Sequence, residues 1–164
     1  MTKTPEQWLE ETAPQKMQGI FKLLLGYAPG VGKTYNMLSE GIRRRSRSED
    51  VVVAVVETHG RKAIAELATR LEAVPRKQLD YRGASFEEMD IDAMLARNPQ
   101  VALVDELAHT NVEGSKHRKR YDDVIDLLDA NIDVISTMNV QHIESLTPLV
   151  QSITGVTVRE TVPG

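Results

Sequence analysis

Short apolar blocks recur along the chain: IFKLLL (20–25), VVVAVV (51–56), VALV (101–104), VISTM (134–138) and VTVRETV (156–162). The VVVAVV block is β-branched and has no polar face, as a strand buried on both sides requires. Between the blocks the apolar period changes to that of a helix. Tyr35, Leu38 and Ile42 mark one face of a helix from Thr34 to about Arg44. Ile64, Leu67, Ala68 and Leu71 fall at i, i+3, i+4 and i+7, and Tyr121, Val124, Ile125 and Leu128 repeat the pattern. Weaker signals lie between. RKQLDYRG (76–83) reads as a short edge strand. Ser85 and Glu88 have capping-box spacing and predict a short helix that stops before Pro99. Thr147-Pro148 reads as a helix start and Gly155 as its stop.

Strand, helix, strand, helix in succession predicts an α/β fold, P-loop NTPase-like, with a mostly parallel sheet covered by helices on both faces. Ligands of such sheets bind at the carboxyl ends of the strands. The 164 residues suit one domain over 20–164, with residues 1–19 a polar lead-in whose one candidate anchor is Trp8. A formal net charge of −4 argues against non-specific nucleic-acid binding. The absence of cysteine removes disulfides and cysteine-ligated zinc. The longest wholly apolar run, Val51 to Val56, is far short of the roughly 20 residues of a membrane helix. The polar, acidic N-terminus does not have the pattern of a signal peptide, so a soluble chain is expected.

Candidate chemistry gathers at the strand ends. LLLGYAPGVGKTYNML (23–38) is a strand, a glycine turn and a helix. A phosphate loop needs inward backbone N–H groups, a helix N-terminus, a lysine for the β- and γ-phosphates and a hydroxyl for magnesium. Gly30, Val31, Gly32, Lys33 and Thr34 supply these. The usual spacing would put the first glycine at position 27, yet Tyr27 stands there and Gly26 precedes it, so the loop is longer by one residue or enters differently.

After VALV come Asp105 and Glu106. An aspartate there can hold the water shell of magnesium across the loop, with Thr34 as the other metal-side group. Glu106 is the candidate base for a water. Asn139, beyond VISTM, is a candidate to meet the γ-phosphate or the attacking water. His109, Thr110, Asn111 and His142 are strand-end residues without an assigned role. Glu57, Thr58 and His59 should border the same crevice, with Thr58 capping the next helix. Of two basic runs, Arg43 to Arg47 suits the end of a helix dipole, and Lys116 to Arg120 reads as solvated loop.

The segments GYAPGVGKTYNML, VVETHGR, VALVDELAHTN, RYDDVIDLLDANIDVISTMNVQHIESL and ITGVTVRETVP come in the same order as in the N-terminal cytoplasmic domain of KdpD-type osmosensitive potassium sensor kinases. The chain resembles that family from Ile20 to Pro163, and DELAHTN and NVQHIESL are the most specific parts. The family shares the glycine at the position of Gly26.

The resemblance implies a regulatory domain that binds ATP and magnesium within a bacterial two-component sensor controlling potassium uptake. Its partners would be the sensor's other domains, and it would meet the membrane only through downstream segments. It also implies a module that continues past RETVP, and a phosphorylated histidine in a kinase core outside this sequence. Two alternatives stand beside it. One is a small-molecule phosphotransferase like the P-loop thymidine kinases, disfavoured by the missing cysteines and by 4% aromatic content. The other is a scaffold with an idle loop.

Overall fold

The computed structural model describes residues 18–27, 31–146 and 156–160. Trp8, Gly30, Thr147, Pro148 and Gly155 lie outside these residues. The elements run β1 (Phe21–Gly26), α1 (Val31–Ser46), β2 (Val51–Val55), α2 (Lys62–Ala68), β3 (Glu72–Ala73), β4 (Lys77–Tyr81), β5 (Ala84–Glu88), α3 (Ile91–Arg97), β6 (Val101–Val104), α4 (Arg120–Asp129), β7 (Asp133–Asn139), a 3₁₀ helix (Val140–Leu146) and β8 (Val156–Glu160). Six strands form one sheet in the order β3-β2-β6-β7-β1-β8. Every pairing in it is parallel. This is the predicted α/β architecture.

Successive side chains of a strand point to opposite faces, and the core divides accordingly. Leu23 and Leu25 face α3 and α4, packing with Met94, Val124, Leu127 and Leu128. Leu24 faces α1 and α2, packing with Met37, Leu38 and Ile64. All five residues of β2 are buried, as its wholly apolar, mostly β-branched composition predicted. Truncating a fully buried leucine such as Leu23 or Leu127 to alanine costs about 2–5 kcal/mol.

Several local expectations are corrected. Tyr35 is 51% exposed; the buried face of α1 is carried by Met37, Leu38 and Gly41. A Cβ on Gly41 would stand 2.7 Å from Leu103 Cδ1, so the missing side chain lets α1 lie close on β6. Ser85 and Glu88 open no helix. They lie in β5, which pairs antiparallel with β4, Ser85 opposite Asp80 and Glu88 opposite Lys77. Arg82 and Gly83 both have positive φ, 51° and 77°, the geometry of a two-residue hairpin turn of type I′. That turn overrides the capping-box spacing. The next helix, α3, is capped by Asp90, whose side chain accepts from Ala93 N at 3.0 Å. It ends at Asn98 in the left-handed conformation, before Pro99.

The strand order positions the site. β7 lies between β1 and β6, with Asn139 opposite Gly26 and Ser136 opposite Val104. The phosphate-loop strand, the acidic strand and the strand carrying Asn139 therefore deliver their carboxyl ends side by side.

Candidate functional site

A cleft of about 430 Å³ opens at these ends, within the range of ligand sites. Lys33 and Thr34 line it from the first turn of α1, Asp105 and Glu106 from the end of β6, and Asn139 from the end of β7. Helix α1 is 16 residues long with no acid in its first turn, so its positive end faces the cleft unneutralised from within the helix. Of the other loop residues, Val31 is the first helical residue and Gly32 follows in the same turn.

Asp105 is 1% exposed, a costly place for a carboxylate unless it is hydrogen-bonded. Its Oδ1 accepts from Thr137 Oγ1 at 2.5 Å and its Oδ2 from Glu57 N at 3.0 Å. Thr34 Oγ1 reaches both oxygens, at 3.2 and 3.1 Å. Burial pushes the Asp105 carboxyl above the usual carboxylate range, against the pull of Thr137, Glu57 and Thr34. Lys33 is also buried; desolvation lowers its ammonium pKa, while Asp105 and Glu106 oppose the shift. A Cβ on Gly26 would stand 2.6 and 2.7 Å from Lys33 Cδ and Cγ. The displaced glycine thus has a physical reason: the lysine stem lies across the bare backbone of position 26.

Glu106 stands in the left-handed region, φ 52°, a conformation costing about 1–2 kcal/mol for a residue with a Cβ. Its N–H donates to Thr137 Oγ1 at 2.9 Å, which holds the turn. Its side chain meets His59 Nε2 at 2.8 Å, and His59 is likewise left-handed, φ 49°. Asn139 Oδ1 is buried with no hydrogen-bond partner among the described residues, an acceptor left for something in the cleft.

Magnesium favours hard oxygen ligands and retains water. The Thr34 hydroxyl and the Asp105 carboxylate fit it. Among the described residues no group of three or more His, Cys, Asp or Glu could hold a metal unaided.

Glu57, Thr58, His59, His109 and His142 all line the cleft, as strand-end residues should. Thr58 does not cap α2, whose N-cap position is Arg61; Thr58 offers its carbonyl to Arg61 N at 2.9 Å instead. His109 is turned to Glu88 at 2.8 Å. Arg43, Arg44 and Arg45 sit in the last turn of α1, as the dipole reading expected.

Sequence reasoning missed Arg120. The run Lys116 to Arg120 is not all solvated loop: Arg120 is 0% exposed at the first position of α4. Its Nη1 donates to Asp105 O at 2.8 Å, and its Nη2 stands 3.5 Å from Glu88 and 3.8 Å from Glu57. Burial lowers its guanidinium pKa, against the pull of Glu57 and Glu88. The signal was present: Arg120 precedes Val124, Leu127 and Leu128 by four, seven and eight positions, on their inward face. Thr137 was missed as well, inside a strand read only as apolar.

Residues 17–164 match the family model for KdpD, described as the osmosensitive K+ channel His kinase sensor domain. Sensor protein KdpD of Mycobacterium tuberculosis is 53% identical over 160 residues, 98% of this chain and 18% of the relative. That of Escherichia coli is 50% identical over 159 residues, 97% of this chain and 18% of the relative. That of Clostridium acetobutylicum is 44% identical over 155 residues, 94% and 17%. The chain thus spans under a fifth of the length of these relatives. Among solved structures, the N-terminal domain of the DNA packaging ATPase from bacteriophage phi29 superposes over 96% of this chain with TM-score 0.43 and 13% identity. The strand order, not that likeness, fixes the fold class. On the family match and these identities, the chain belongs to the KdpD family, as its osmosensitive potassium-channel histidine kinase sensor domain.

Proposed function

We propose that this chain is a regulatory, ATP-binding module of the sensor kinase. One observation carries the reading: Lys33, Thr34 and Asp105, from two different strand ends, meet in one cleft at the positive end of α1. The N–H groups of residues 30–34 and the Lys33 ammonium hold the β- and γ-phosphates. Thr34 and Asp105 would hold magnesium, which would offset the phosphate charge. Asn139 Oδ1 faces the terminal phosphate end and receives a donor there. Glu106, aimed by His59, orients a water, so slow hydrolysis accompanies binding.

Within the full-length sensor the module is cytoplasmic. Among its described residues no helix is long and apolar enough to cross a membrane. Nucleotide occupancy shifts the kinase/phosphatase balance because ATP favours one signalling state of the receptor over the other. The test is calorimetric titration of ATP with magnesium into the wild type and Lys33→Ala. A loss of roughly tenfold or more in affinity is expected; equal affinities would remove the loop from the account. Glu106→Gln should keep binding and lose turnover, and unchanged turnover excludes Glu106 as the base.

A further inference from the structure

Arg120 sits behind the cleft rather than in it. It begins α4, is wholly buried, and makes one close hydrogen bond, Nη1 to Asp105 O at 2.8 Å, with Glu106 O next at 3.5 Å. These are the carbonyls on either side of the strained Glu106 backbone. Its other contacts are longer and come from different segments. Glu57 belongs to the loop after β2 and is paired with Arg76. Glu88 ends β5, accepts from Val112 N at 2.6 Å and holds His109. Arg120 Nε and Nη2 have no hydrogen-bond acceptor among the described residues. A buried guanidinium satisfied at only part of its fork is an expensive way to stabilise a fold. It is, however, a rigid planar fork that can fix several segments at once.

We propose that Arg120 is a positioning residue for the metal side of the nucleotide site: it pins the carbonyls of Asp105 and Glu106 and, through Glu57 and Glu88, ties two cleft-forming segments to the end of β5. This rests on the nucleotide reading above. The mechanism is geometric. Asp105 leaves β6 where the chain turns sharply into Glu106, and its carboxylate can face Thr34 only while that turn is held. The Glu57 N–H that steadies Asp105 Oδ2 comes from a residue whose carboxylate Arg120 also faces. Arg120 reaches no phosphate and carries out no chemistry itself. Its removal should therefore cost the contribution of magnesium and leave the contribution of Lys33 and the loop.

The test compares ATP affinity in magnesium and in EDTA for the wild type, Arg120→Lys and Arg120→Met. Magnesium should tighten ATP binding to the wild type by roughly tenfold or more. Arg120→Met should lose most of that gain while its affinity in EDTA stays within about twofold of wild type. Arg120→Lys should recover part of it, since an ammonium reaches one carbonyl but not the whole set. A variant that keeps the full magnesium gain, or that loses both affinities together, overturns the proposal.

Amide exchange on the same proteins separates this failure from that of the nucleotide reading. Peptides covering 105–109 should exchange faster in Arg120→Lys than in wild type, with β1 and β7 unchanged. If the wild type binds no ATP, the nucleotide reading falls and the exchange alone decides the pinning. Unchanged exchange over 105–109 then overturns it. The lysine variant carries the test should Arg120→Met not fold.

Discussion

The two edges of the sheet each carry an arginine that gathers acids, and the two are built on different terms. At the amino edge, Arg97 grips Asp50 through two bonds of 2.8 Å and Glu72 through bonds of 2.7 and 2.9 Å. Every contact is short, and all three side chains are substantially exposed. At the carboxyl edge, Arg120 is fully buried, with one close bond to a carbonyl and two acids at 3.5 and 3.8 Å. The exposed clamp is complete and closes off one end of the fold. The buried one is incomplete among the described residues and lies against the cleft, where Asn139 also presents an acceptor with no partner among them. Polar groups left unsatisfied inside a protein are costly. Among the described residues, Arg120 Nε and Nη2 and Asn139 Oδ1 are such groups beside the cleft.

Stability should separate the two arginines first. Arg120→Met leaves the buried Glu88 short of positive charge and should destabilise by about 3–5 kcal/mol in urea titration. Adding Glu88→Gln should recover part of the loss. Arg97→Met should hardly move the midpoint, because its pairs are solvated and weakened by salt. Comparable losses from both would dissolve the contrast.

The next largest effect is on ligand binding at the carboxyl edge alone. Gly26→Ala places a Cβ within 2.7 Å of the Lys33 stem, which is flexible and can swing aside. ATP affinity should fall several-fold, about 1 kcal/mol, with the melting temperature nearly unchanged. A variant that binds as tightly as wild type would mean that the lysine does not need the path over position 26.

The smallest effect is a pH dependence confined to the same edge. Asp123, one turn along α4 from Arg120, is buried, accepts from Asn111 Nδ2 at 2.9 Å, and is pushed up to about 6 by that burial despite the Asn111 bond. Its unfolded value is near 3.9. Between these values the folded state holds a proton that the unfolded state releases. Stability from this group is therefore present at low pH and lost as pH rises toward 6, with the full penalty above it. Melting temperatures of the wild type should rise, relative to Asp123→Asn, on going from pH 7 to 5. Parallel curves would show that Asp123 does not titrate in this window.

Much of this organisation was legible in the sequence. The strands announced themselves because a sheet covered on both faces demands unbroken apolar runs rich in β-branched residues, as in Val51 to Val55. Lys33, Thr34 and Asp105 could be named because each follows such a run, and parallel strands bring their carboxyl ends together. In the β4–β5 hairpin the sequence predicts an edge strand and a helix, because Ser85 and Glu88 satisfy a local helix rule. The positive φ at Arg82 and Gly83, which decides the matter, is a property of the turn rather than of that spacing. Tyr35 has the period of the core face yet points to solvent, while Gly41 lies close on β6. Arg120 hid in a basic run, where composition predicts solvent. Its burial depends on acids far away in sequence, at Glu57 and Glu88.

The most direct test of the nucleotide site is a structure of the chain with magnesium and ATP. The account predicts Lys33 Nζ on the terminal phosphates and Thr34 Oγ1 drawn from Asp105 toward the metal. It also predicts Asp105 one water from the metal and a partner for Asn139 Oδ1. A nucleotide bound elsewhere, or an intact Thr34–Asp105 hydrogen bond beside an empty cleft at saturating ATP, would contradict it.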